Sequence, residues 1–270
     1  MKATLRLTIL GCGSSPGTPR INGDWGACDP NEPRNRRRRC AALVQRITTE
    51  GTTTVVIDCG PDFREQMLSA GVRRLDAAVI THPHADHIHG LDDLRGYAHD
   101  SARRRIPVHA DDDTYDRLFE AFGYCYETPK GSTYEPIVEH ARIVADVPFE
   151  IDGPGGALVF LPFRQAHGRI HSLGFRIGPL AYCSDVSDFS EGAIAAIPGA
   201  EHIVIDALQR HPHPNHLTLD QALDWIARFG VPKATLTHMH TPLDYATLSA
   251  ELPPNIRPGY DGMTLDFAVD

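Results

Sequence analysis

The chain lacks what would place it in a membrane or outside the cell. Only six of its 270 residues are cysteine, at positions 12, 28, 40, 59, 125 and 183. They are scattered and form no Cys-x-x-Cys pair, which excludes a disulfide-stapled scaffold and reads as reduced thiols in a cytoplasm. No run approaches the roughly 20 apolar residues of a membrane span. Residues 1–10 carry two charges within an apolar–polar alternation, so they read as a first strand and not as a secretory signal. Low-complexity linkers and repeats of fixed period are also missing, and one domain over residues 1–270 is expected. Basic residues are outnumbered, 26 Lys and Arg against 35 Asp and Glu, for a net charge of −9. That balance disfavours a nucleic-acid partner.

What remains is the composition of a globular protein, 41% apolar and 23% charged, with a sizeable core. Strand signals open the chain, at residues 3–10, then 40–47 paired with 53–57. Residues 62–70 read as a short helix with Phe63, Met67 and Leu68 inward, stopped by Gly71. Residues 77–80 form a buried strand. Strands follow at 157–162, 173–177, 180–183, 203–207 and 233–237. A helix over 217–229 carries a capping box, Thr218 with Gln221, and its Leu219, Ala222, Leu223, Ile226 and Ala227 repeat at helical spacing. Gly230 and Pro232 end it. This order predicts two sheet-plus-helix halves. The 23–39 loop, ending in four arginines, reads as a solvated surface loop with a charged tip.

Histidine is abundant, at 15. Four fall in eight residues, at His82, His84, His87 and His89, directly behind the buried strand. In His82-Pro83-His84-Ala85-Asp86-His87, imidazoles alternate and a carboxylate follows. Imidazole suits zinc, manganese or iron, and carboxylate suits the harder ions among them. On an extended turn His82 and His84 can grip one ion, while Asp86 and His87 lie past the bend and can face a second. His167, Asp185 and His238 each stand at or just after a strand end, where such folds gather their sites. Together with the cluster they make a two-metal set.

These motifs resemble the metallo-β-lactamase superfamily of binuclear hydrolases, along nearly the whole chain. The resemblance implies an αββα sandwich, two mixed sheets face to face with helices outside. It implies that His82, His84 and His167 hold one divalent ion, that Asp86, His87 and His238 hold the other, and that Asp185 bridges them. The ions would be Mn²⁺ or Zn²⁺ and would share an attacking hydroxide. Asp58, in Val-Ile-Asp-Cys-Gly, matches an aspartate that orients the metal loop, and a plain turn residue reads equally well there. With Asp rather than Cys at 185, the phosphodiesterase and thioesterase branches fit better than true β-lactamases. The likeness is greatest to the phosphoribosyl 1,2-cyclic phosphate phosphodiesterases, through Gly11-Cys12-Gly13-Ser14-Ser15-Pro16-Gly17, Asn215-His216 before a helix, and Gly259-Tyr260-Asp261-Gly262-Met263.

The substrate implied is a small phosphate ester, cyclic or nucleotide-like. Asp86 and His216 are the catalytic candidates, His216 protonating the leaving oxygen beside a helix N-terminus. His211, His213 and His240 stand as substrate contacts. That family's early loop carries several cysteines for a structural zinc, whereas here residues 23–30 hold only Cys28. A transfer-RNA 3′-processing endonuclease shares the ligands, but the interval from His167 to Asp185 is too short for its RNA-binding arm. A glyoxalase-II-like thioesterase would need a helical domain after His238. A metal- or nucleotide-binding sensor without turnover is the non-enzyme alternative, and a homodimer is left open.

Overall fold

The computed structural model describes residues 3–98 and 105–270. Met1 and Lys2 of the first-strand reading lie outside the described residues. No helix among the described residues is long and apolar enough to cross a membrane. The strands are β1 Ala3–Gly11, β2 Ala41–Ile47, β3 Thr52–Ile57, β4 Ala77–Val79, β5 Ile106–Ala110, β6 Val138–Arg142, β7 Phe149–Ile151, β8 Leu158–His167, β9 Ile170–Ile177, β10 Leu180–Cys183, β11 Asp188–Phe189, β12 His202–Asp206, β13 Lys233–Thr237, β14 Ile256–Pro258 and β15 Thr264–Val269. The helices are α1 Phe63–Ser69, α2 Ala85–Ile88, α3 Arg95–Ala98, α4 Asp112–Tyr126, α5 Glu191–Ala196, α6 Leu219–Phe229 and α7 Tyr245–Glu251.

Two mixed sheets result, ordered β15-β1-β2-β3-β4-β5-β6 and β11-β8-β9-β10-β12-β13-β14, with β7 paired to β8. Each half repeats one plan. In the first, β1, β2 and β3 are antiparallel neighbours and β3 to β6 run parallel. In the second, β8, β9 and β10 are antiparallel and β10, β12, β13 and β14 run parallel. The two-halves expectation therefore holds, and the αββα sandwich with it.

The layering follows from the period-two alternation of strand side chains. Val55 and Ile57 face the second sheet and share a core with Phe160, Phe163, Phe175, Val204 and Leu236. Val56, between them, faces outward and packs with Phe63 and Met67 of α1 and Leu118 of α4. Each such phenylalanine withdrawn from water contributes roughly 1.5–3 kcal/mol.

Three sequence readings need correction. In α1, Gln66 is buried and Leu68 is exposed, because residues 63, 66 and 67 share one helical face and 68 does not. In α6, Ala227 is exposed and Trp225 is buried, so the inward face runs through 222, 225, 226 and 229. The 23–39 loop is not simply solvated. Arg37 is only 2% exposed, and its guanidinium donates to the Leu243 and His240 carbonyls at 2.6 and 3.3 Å. The same guanidinium lies 3.9 Å from Cys28 Sγ. No potential metal group among the described residues includes Cys28.

Candidate metal centre

The site forms where strands end. Val79 of β4 leads into Thr81 and His82, His167 closes β8, Asp185 follows β10, and His238 follows β13. The turns after β3, β10 and β13 are left-handed at residues other than glycine: Asp58 (φ 68°), Asp185 (φ 54°) and His238 (φ 56°). Such conformations are strained and persist where surrounding structure imposes them, often at functional sites. Glycine is required where segments touch. A Cβ at Gly60 would collide with the backbone oxygen of Asp86, so only glycine lets the Asp58 turn approach the histidine loop. Gly168, at φ 63°, leaves the space its neighbour Asn215 fills.

The structure brings all seven expected ligands together. The donor atoms of His82, His84 and His167 lie within 4.8 Å of one another, as do those of Asp86, His87 and His238. Asp185 lies between these groups. Its Oδ2 is 3.3 Å from His87 Nε2, and its Oδ1 is 3.1 Å from His238 Nε2 and 3.9 Å from His82 Nε2. His89, the fourth histidine of the cluster, turns away to solvent beside Phe122.

The tautomers can be assigned from the hydrogen bonds. Asp58 is fully buried and accepts from the Thr81 amide, the Thr81 hydroxyl and His87 Nδ1, the last at 2.7 Å. The single Thr81 hydroxyl proton goes to Asp58, so the Thr81 oxygen accepts from His82 Nδ1 at 2.9 Å. His167 Nδ1 donates to the Asn215 carbonyl at 2.8 Å. In each neutral ring the proton then sits on Nδ1 and a lone pair remains on Nε2. His82 Nε2 and His167 Nε2 lie 3.0 and 3.1 Å from His84 Nδ1.

This donor set fits divalent cations. Ring nitrogens converge at distances that leave lone pairs facing one another. His87 Nε2, Asp185 Oδ2 and His238 Nε2 are buried and make no hydrogen bond with a described residue, an arrangement that is costly unless a ligand completes it. The charge balance points the same way. Burial lowers the pKa of His238, yet Asp185 and Asp86 overcome it and raise the group to about 9. At His87 burial is likewise outweighed by Asp185, Asp58 and Asp86, which push it well up. His167, mainly through burial, is lowered to about 4. The carboxylates thus demand positive charge at the His87–His238 side, and neutral imidazoles line the other.

His216 joins this cluster more closely than its place in the sequence suggests. It is 9% exposed and stacks on His238 at 4.5 Å, with His167 edge-on at 4.8 Å. Its Nδ1 is bound to Asp206 Oδ2 at 2.6 Å, leaving Nε2 free. Thr218, two residues on, caps α6 in the expected capping box. His213 lies 5.2 Å from His216 by ring centroids, His211 is exposed, and His240 is tied to Ser14 and Arg20.

Three contributors have no local signature in the sequence as site residues. Asp206 ends β12 and orients His216. Ser15, in the glycine-rich loop, donates to Asp86 Oδ2 at 2.6 Å. Asp261 accepts from the Cys12 and Arg38 amides at 3.1 and 2.8 Å and anchors that loop. The last two fall inside motifs of the resemblance, where their pairing across the chain is invisible.

Residues 53–239 match the model of a beta-lactamase superfamily domain, a span that holds Asp58 and all seven candidate ligands. A solved structure described as a new diphosphatase from the PhnP family superposes with a TM-score of 0.88 at 32% identity, over 100% of this chain and 99% of that one. Zn²⁺-bound PqqB from Methylobacterium extorquens shares the fold, with a TM-score of 0.73 at 17% identity over 97% and 100% of the two chains. An octanoyltransferase of Porphyromonas gingivalis is 34% identical over 96% of this chain. The chain spans about half of that relative, 51% of its length.

Proposed function

The chain belongs to the beta-lactamase superfamily, and from that premise we propose that it is a binuclear metal-dependent phosphodiesterase acting on a small phosphate ester. The observation that carries this reading is Asp185, whose carboxylate lies within 4 Å of His82 of one histidine group and of His87 and His238 of the other. His82, His84 and His167 would hold one ion, Asp86, His87 and His238 the other, with Asp185 shared. The pair would be Mn²⁺ or Zn²⁺, since both accept imidazole and carboxylate donors. When bound, such ions supply Lewis-acid charge at phosphoryl oxygens and a water of lowered pKa.

The protein's own groups supply the rest. Asp58 fixes the ring orientation of a histidine in each set, through His87 directly and through Thr81 to His82. The Ser15 hydroxyl holds Asp86. Asp206 steadies the His216 ring so that a proton on Nε2 is delivered to the leaving oxygen. The N-terminus of α6, just beyond His216, favours an anionic phosphate. The name of the PhnP-family diphosphatase agrees with phosphate chemistry. Acyl transfer is not carried over from the octanoyltransferase, because half of that protein has no counterpart here.

The test is turnover of bis(p-nitrophenyl) phosphate by the full chain. Chelation should abolish it, and added Mn²⁺ or Zn²⁺ should restore it. A rate at background under every metal condition would replace this reading with the sensor alternative.

A further inference from the structure

Two buried atoms beside the metal centre, Asp206 Oδ1 and His238 Nδ1, have no hydrogen-bond partner among the described residues. Asp206 ends β12 and is wholly buried. Its other oxygen, Oδ2, accepts twice, from His216 Nδ1 at 2.6 Å and from the Val186 amide at 3.0 Å. His238 is 1% exposed. A buried carboxylate oxygen and a buried ring nitrogen are each costly when left unmatched.

The fold brings the two residues together. Strands β12 and β13 run parallel, and Asp206 is the cross-strand neighbour of Thr237, the residue before His238. The His216 and His238 rings stack at 4.5 Å with their planes 11° apart. One donor atom each from Asp206, His216 and His238 lies within 4.8 Å of the others. Two nearly parallel imidazoles thus share one carboxylate neighbour, and only one of its oxygens is in use. Tautomer chemistry says which proton is available. His238 Nε2 is the nitrogen that faces Asp185 Oδ1 and Asp86 Oδ2, at 3.1 and 3.9 Å. A neutral imidazole that gives its Nε2 lone pair to an ion carries its proton on Nδ1. Ligating histidines nearly always donate that proton to a carboxylate, a carbonyl or water. His87 already has Asp58 for this, and His167 has the Asn215 carbonyl. His238 has no such bond, and Asp206 Oδ1 is the unmatched acceptor in its group.

Building on the phosphodiesterase reading, in which His238 is a ligand and His216 the acid, we propose that Asp206 is a positioning residue shared by both. Its Oδ2 holds His216 Nδ1–H, and its Oδ1 receives His238 Nδ1–H when His238 Nε2 is given to an ion. Asp206 then does for His238 what Asp58 does for His87. One carboxylate links occupancy of the Asp86, His87 and His238 set to the orientation of the group that protonates the leaving oxygen.

The test reads metal and protons, not turnover. Competition of the Zn²⁺-loaded full chain with a chromogenic chelator should show that Asp206→Ala weakens one of the two ions by about 10–100-fold and leaves the other unchanged. Asp206→Asn, which keeps one oxygen for two rings, should fall between Asp206→Ala and wild type. His216→Ala, which removes only the other ring, should leave both affinities unchanged. In heteronuclear NMR of the Zn²⁺-loaded wild type, the His238 Nδ1 proton should be shifted downfield and slow to exchange, assigned by its loss in His238→Ala. Equal weakening of both ions by Asp206→Ala would overturn the proposal, because the effect would then run through the Val186 amide to Asp185. Unchanged affinity for both ions would also overturn it. So would a Zn²⁺-loaded wild type without that proton, a measurement that stands even where Asp206→Ala does not fold. Failure of the phosphodiesterase reading shows separately, as absent hydrolysis of bis(p-nitrophenyl) phosphate by a chain that holds both ions and the His238 proton.

Discussion

Asp58 Oδ2 lies 2.7 Å from His87 Nδ1, with both side chains wholly buried. The same carboxylate takes the Thr81 hydroxyl, whose oxygen in turn receives His82 Nδ1. One aspartate thereby sets the tautomer of a histidine in each donor group. Loss of such an orienting carboxylate typically costs about 10–100-fold in metal affinity. Asp58→Ala should lower affinity by about that factor for both ions, measured by competition with a chromogenic chelator. Weakening at one ion alone would mean that the Thr81 link to His82 does not transmit the effect.

His216→Ala should leave the metal content intact and slow turnover by roughly 10²–10⁴-fold on a diester with an alkoxide leaving group. The p-nitrophenolate leaving group needs little protonation, so that substrate should suffer much less. Equal losses on both would make His216 a binding residue. Because Asp206 acts on His216 through Nδ1, Asp206→Asn should reproduce the same leaving-group dependence in milder form.

Acid sensitivity has a source outside the metal centre. His202, 4% exposed and bonded to Thr235 at 2.9 Å, has its pKa lowered to about 4 by burial and by Arg257 and Lys233. The unfolded chain binds this proton near pH 6.5, so His202's stabilising contribution is present above that pH and is lost as pH falls toward 4. The span corresponds to about 3 kcal/mol at most. Denaturant unfolding between pH 4 and 7 should show this slope, and His202→Gln, which keeps a partner for Thr235, should flatten it. A His202→Gln profile parallel to wild type would place the acid sensitivity elsewhere.

The legible part of this protein was the part written locally. A strand followed at once by His82, His84, Asp86 and His87 announces a metal loop, and the capping box at Thr218 announces α6. The distant candidates His167, Asp185 and His238 were legible as strand-end residues and gained meaning only as a set. Asp206 and Ser15 were not, because a carboxylate ending an apolar strand and a serine in a glycine loop have no local signature. The role of Asp206 comes from sheet order, which places β12 beside β10, and that of Ser15 from the loop after β1, which reaches the histidine turn past β2 and β3. Arg37 was misread for a related reason. Within four arginines nothing local marks the one whose guanidinium reaches the carbonyls of residues 240 and 243. The 15-residue helix α4 went unread because its inward face is sparse, with only Thr114, Leu118, Cys125 and Tyr126 buried.

Elemental analysis of wild type and Asp185→Ala tests whether Asp185 is shared by two ions. The wild-type chain, reconstituted and desalted, should retain two ions per chain. Asp185→Ala should lose at least one, together with metal-dependent hydrolysis of bis(p-nitrophenyl) phosphate. Two ions retained by Asp185→Ala at an undiminished rate would contradict the account.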